Sequence, residues 1–67
     1  MEEQQVNDQW INEKRLAEIT DLSVFTLRRW RFEGVGFPYS KISNRAVRYK
    51  LSDIMNFLED RKVEPKN

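Results

Sequence analysis

Cysteine and histidine are both absent from this 67-residue chain. Their absence removes disulfide cross-links, thiolate nucleophiles, the usual zinc ligands and the commonest general base, so no metal and no cofactor is expected. Glycine and proline are scarce, two of each. Gly34-Val35-Gly36 lacks the spacing of a phosphate-binding loop and follows a helical pattern instead of a strand. No apolar run approaches the ~20 residues that a membrane helix needs. The start, MEEQQVNDQ, is acidic and polar where a secretory signal is basic and then apolar. These absences lead to the expectation of a soluble, cytoplasmic protein with no membrane partner and no small-molecule ligand, whose residues 1–9 form a disordered tail.

Length narrows the choice further. A chain this short makes one domain with a small core, burying roughly 60 % of its unfolded surface. It cannot enclose a substrate cleft of ordinary size, and no paired carboxylates fall at acid–base spacing in an apolar setting. Glu18 and Glu33 read as solvated charges, and an enzyme is not expected.

What the chain does contain is segregated charge. The net charge is only +1, yet residues 23–50 hold Arg28, Arg29, Arg31, Lys41, Arg45, Arg48 and Lys50 against Glu33 alone. Residues 1–13 carry Glu2, Glu3, Asp8 and Glu13 with no basic residue. A basic centre hidden inside a near-neutral total is the charge pattern of a domain with one positive binding face.

The stretch KRLAEITDLSVFTLRRWR, starting at Lys14, holds two short helical patterns hinged at Thr20-Asp21-Leu22. Asn12 is suited to cap the first helix, with Ile11 and Leu16 as the apolar pair that fixes its entry, so this helix starts near Glu13. Ser23 caps the second, with Leu22 and Leu27 as the corresponding pair and Gly34 placed for a left-handed ending, giving a helix over residues 24–33. Asp21 stands where many such turns use glycine, and aspartate is among the few residues that tolerate positive φ. At about 100° per residue, Leu27 and Trp30 fall on one side of the second helix, and Phe25, Arg29 and Phe32 on the other.

Beyond Gly34 the helical period is lost. Phe37-Pro38 is an extended or turning step. Residues 39–43 and 46–50 alternate as two strands around Asn44-Arg45, with Asn44 suited to a positive-φ turn position. Ile42, Val47 and Tyr49 are expected to face inward, and Lys41, Arg45, Arg48 and Lys50 to form a basic fringe. Ser52 is a further candidate cap, and Ile54, Phe57, Leu58 and Arg61 share helical spacing, predicting a third helix over residues 53–61. Residues 63–67 read as a loose tail. The predicted core is Leu16, Ile19, Leu27, Trp30, Ile54, Phe57 and Leu58, closed by the three helices.

The expected class is therefore mostly α with a small β-hairpin, in the order helix, turn, helix, strand, strand, helix: a winged helix–turn–helix over residues 10–62. Three segments carry a family resemblance: Ser23-x-x-Thr26-Leu27-x-Arg29-Trp30, Asn44-Arg45-x-Val47-Arg48-Tyr49 and Leu51-Ser52-Asp53-Ile54. With these, the chain resembles the small DNA-binding domains of the MerR superfamily, specifically phage excisionases and AlpA-type regulators. The resemblance implies a bacterial or phage-encoded protein whose partner is double-stranded DNA, with an integrase or neighbouring copies of itself as further partners. It implies that the second helix enters the major groove, with Phe25 and Arg29 toward base edges and Thr26 and Arg28 toward the backbone. Ser23, Lys41, Asn44, Arg45 and Arg48 would serve as backbone or wing contacts, with Arg45 at the minor groove.

Many excisionase-like sequences carry polar or charged residues at the positions of Phe25 and Phe32. Two readings of this pair stand side by side. Either it meets DNA or packs beneath the hairpin, or the chain is a protein-interaction adaptor that uses Phe25 and Phe32 to dock a partner.

Overall fold

The computed structural model describes residues 9–65. It comprises three helices and a three-stranded antiparallel sheet, in the order β1 (Trp10–Ile11), α1 (Glu13–Thr20), α2 (Val24–Glu33), β2 (Ser40–Ser43), β3 (Ala46–Lys50) and α3 (Leu51–Asp60). Of the tail expected at residues 1–9, all but Gln9 lies outside the described residues. Gln9 is held: its carbonyl accepts a hydrogen bond from the Leu51 amide at 2.8 Å. Of the expected loose C-terminal tail, residues 63–65 carry no regular structure, and the last two residues lie outside the described ones.

Local chemistry accounts for both ends of the first two helices. The Asn12 side chain accepts from the Arg15 amide at 2.8 Å, and the Ser23 hydroxyl accepts from the Thr26 amide at 3.0 Å, each relieving one of the unpaired donors at a helix start. Asp21 closes α1 in the left-handed region at φ 63°, and Gly34 closes α2 at φ 76°. Leu22 then seats against the core as the chain turns, so the short link fixes the angle between α1 and α2.

The third helix departs from expectation at its start. It begins at Leu51 and ends at Asp60, so Ser52 lies inside the first turn and is not its cap. β3 runs into α3 with no loop between them, and Lys50 makes no side-chain capping bond. The Gln9 carbonyl serves one of the free amides instead. That contact exists because Trp10 and Ile11 add a strand beside β3, pairing Trp10 with Lys50 and Ile11 with Tyr49. The sequence pattern did not predict this strand.

The sheet order is β1-β3-β2, which makes β3 central. The β2–β3 hairpin pairs Ser40 with Arg48, Lys41 with Val47 and Ser43 with Ala46, with a register shift between Lys41 and Ser43. Ile42 falls in that irregularity and is 64 % exposed, contrary to the inward position expected of it. Asn44 also differs from expectation. Asp21 is the one non-glycine residue at positive φ among the described residues, so the turn at Asn44-Arg45 is not of the mirror-image type. The bulge supplies twist that an ordinary turn lacks.

The core consists of Leu16, Leu27, Phe37, Tyr49 and Ile54, with Ile11, Ala17, Leu22, Trp30, Val47, Leu51 and Phe57 packed around it. Two residues expected there, Ile19 and Leu58, are instead partly exposed. The reason is the central role of β3: α1 and α3 both pack on it, so the core gathers around Tyr49 and each helix turns a different face inward from the one a purely helical core would use. Phe37, read only as part of a turn, is buried beside Phe57 and Trp30, with ring centroids 4.3 and 6.0 Å away. Gly36 makes this approach possible. Its φ is +92°, and a Cβ there would lie 2.7 Å from Trp30 Cε3.

Candidate nucleic-acid interface

An open cleft of about 740 Å³ lies between the start of α1, one flank of α2 and the hairpin. Its lining includes Lys14 from α1, Arg28 and Arg31 from α2, and Lys41, Asn44, Arg45 and Arg48 from the hairpin, with Phe32 at its edge. Six cations thus converge on one concavity against a single lining carboxylate, Glu13. Of the residues singled out in the sequence, Arg28, Lys41, Asn44, Arg45 and Arg48 are brought together here. Lys14, Arg31 and Glu13 join them without having been assigned to a site.

Glu13 organises the α2 side of the cleft. Its carboxylate accepts from Arg28 Nε at 3.1 and 3.2 Å and from Arg28 Nη2 at 2.6 Å. Arg31 Nη2 donates to it at 3.1 Å, and Arg31 Nη1 donates to the Tyr49 hydroxyl at 2.6 Å. Arg31 is therefore held between an α1 carboxylate and a core phenol, and α1, α2 and β3 are tied together at one point. Arg28 remains 62 % exposed, so the Nη1 edge of its guanidinium is open to another acceptor. Hydrogen bonding from Arg28 holds the Glu13 carboxyl below the usual carboxylate range. Burial opposes this, and Arg31 reinforces it. The same bonds raise the pKa of Arg28, so both groups stay charged.

The outward face of α2 is a separate surface. Phe25 is 73 % exposed and Phe32 91 %, so neither packs beneath the hairpin. Arg29 lies between them in sequence and approaches Glu33 only loosely, at 3.9 Å. Ser23 and Thr26 are occupied with the helix start, where their hydroxyls are also 2.9 Å apart. Arg48 bends back to the Val47 carbonyl at 2.8 Å. Arg45 sits exposed at the tip of the hairpin, its amide bonded to the Ser43 hydroxyl at 3.3 Å.

Comparison with family models, with curated proteins and with solved structures finds no match to this chain. No helix among the described residues is long and apolar enough to cross a membrane.

The chemistry open to this arrangement is recognition of a polyanion. Several fixed cations on a concave wall suit successive phosphates. An exposed helix face beside them is narrow enough to enter a groove of about 12 Å.

Proposed function

We propose that this chain is a sequence-specific double-stranded DNA-binding protein, non-catalytic and built as a winged helix–turn–helix. In this reading α2 enters the major groove and the β2–β3 hairpin is the wing at the adjacent minor groove. The observation that carries the proposal is the convergence of cations from α1, α2 and the hairpin on one cleft, beside a helix face whose large side chains are exposed. Lys14, Arg28, Lys41 and Arg48 are the phosphate contacts, Arg45 is the wing tip, and Arg29 reads a base edge. The resemblance to excisionases and AlpA-type regulators points to recombination or transcription on a mobile element, in a bacterial cytoplasm. An integrase or neighbouring copies on repeated sites would complete the assembly.

Selection from a randomised DNA pool, followed by fluorescence anisotropy on the recovered duplex and a scrambled one at two salt concentrations, tests the proposal. Binding should weaken with salt at a slope of about −0.9 per neutralised phosphate. Arg29→Ala should lose ~1 to 3 kcal/mol on the selected duplex and relax preference at one base pair. Arg45→Ala should weaken every duplex if the wing meets phosphate, and A·T-flanked duplexes preferentially if it enters a narrow minor groove. Equal, weak and salt-insensitive binding to both duplexes would overturn the proposal. The exposure of Phe32 would then favour the adaptor reading, in which an aromatic interface responds little to salt.

A further inference from the structure

The outward face of α2 has an apolar centre and charged flanks. At about 100° per residue, Phe25 and Phe32 lie only about 20° apart around the helix and nearly opposite the buried Leu27. Arg28 falls to one side of them and Arg29 to the other. Both phenyl rings are largely exposed, at 73 % and 91 %, and neither stacks on another ring among the described residues. A helix presenting this face to a major groove turns Arg28 toward one groove wall and its phenyl rings, with Arg29 beside them, toward the base edges. The apolar group displayed on those edges is the C5-methyl of thymine.

We infer that Phe25 and Phe32 are specificity-determining residues that read thymine methyl groups, so that the target is defined in part by two methylated pyrimidine positions. The inference rests on the DNA-binding reading and deepens it. Phe25 and Phe32 are separated by about 10 Å along the helix axis, from seven residues at 1.5 Å each. That span reaches across about three base-pair steps of 3.4 Å. Arg29 lies between them, within reach of an intervening guanine or of the nearer phosphate. Charge complementarity selects DNA over an apolar protein surface as the occupant, because the rings are flanked by arginines and adjoin the cationic cleft that Phe32 itself borders.

The experiment alters the ligand and leaves the protein intact. Each thymine in the selected duplex is replaced in turn by deoxyuracil, which keeps every hydrogen-bonding group and removes one methyl. Binding is measured by fluorescence anisotropy for the wild type, Phe25→Ala and Phe32→Ala. One buried methyl corresponds to about a four-fold change in affinity, and two to about fifteen-fold. The wild type should lose about four-fold at each of two positions roughly three steps apart. Phe25→Ala should be indifferent to one of these replacements and Phe32→Ala to the other. If the wild type distinguishes selected from scrambled DNA yet binds deoxyuracil and thymine duplexes equally, methyl reading is overturned while DNA recognition stands. If it distinguishes no duplex, both fail. If both phenylalanine variants remain as sensitive to deoxyuracil as the wild type, the methyls are read by other residues and the assignment is wrong.

Discussion

In Glu13→Gln, the carboxylate that accepts hydrogen bonds from Arg28 and Arg31 becomes a neutral amide of nearly the same shape. Two effects follow, and they have opposite consequences for fold and binding. The Arg28 end of the clamp is solvated, so losing its charge costs the fold little. Arg31 is only 19 % exposed. A hydrogen bond between charged groups contributes roughly 1.5 to 3 kcal/mol, and the amide oxygen can still accept, so the loss at this end is about 1 kcal/mol. For a domain of this size that lowers Tm by about 4 to 8 °C.

The pH dependence has a definite sign. Because the folded-state pKa of Glu13 is depressed, its contribution is complete above the unfolded value of about 4.3. It disappears as pH falls through the lower folded value. The gap in Tm between wild type and variant should therefore be open at pH 7 and closed in strong acid. Binding should move the other way. Removing the lone carboxylate among six cleft cations frees Arg28 for phosphate, raising affinity for scrambled DNA and steepening the salt slope by up to about 0.9. Thermal melts followed by circular dichroism from pH 7 to pH 2, together with anisotropy at low salt, measure both effects. A Tm gap that stays constant with pH would refute the electrostatic account of the clamp. A variant that binds scrambled DNA less tightly than wild type would refute the competition between Glu13 and phosphate.

Two further substitutions probe the packing that positions the candidate interface. Gly36→Ala combines positive φ with a Cβ 2.7 Å from the Trp30 ring, and should cost about 2 to 4 kcal/mol. An unchanged thermal melt would show that the Gly36–Trp30 approach does not constrain the fold. Tyr49→Phe keeps the buried ring but removes the hydroxyl that accepts from Arg31 at 2.6 Å. It should cost ~1 to 2 kcal/mol, read as a lower urea midpoint at constant m-value, and equal midpoints would show that Glu13 alone satisfies Arg31.

Much of the candidate interface was legible in the sequence because its ingredients are local. Clustering of Arg28, Arg29, Lys41, Arg45 and Arg48 within residues 23–50 announced a positive face, and the angular positions of Phe25, Arg29 and Phe32 on α2 announced an outward one. Arg31 was counted in that basic stretch but given no site role, since its helical position alone does not separate a solvated arginine from one pinned to a buried tyrosine. Glu13 was legible only as part of an acidic beginning. Its partners lie 15 and 18 residues away, and no local pattern records a contact across that distance.

The same division runs through the fold. Local residues alone set the ends of α1 and α2, the left-handed conformations of Asp21 and Gly34, and the placing of a hairpin around Asn44-Arg45. Each depends on hydrogen bonds or steric limits acting within about four residues. Closure of the chain settled the rest: β1 pairs with β3, the Gln9 carbonyl serves the start of α3, and Phe37 joins the expected Tyr49 in the core while Ile19, Ile42 and Leu58 do not. Those outcomes follow from which surfaces meet when the chain closes. Burial of an apolar side chain lowers the free energy wherever the apolar partner comes from, so periodicity nominates candidates for the core and only the closed packing around β3 selects among them.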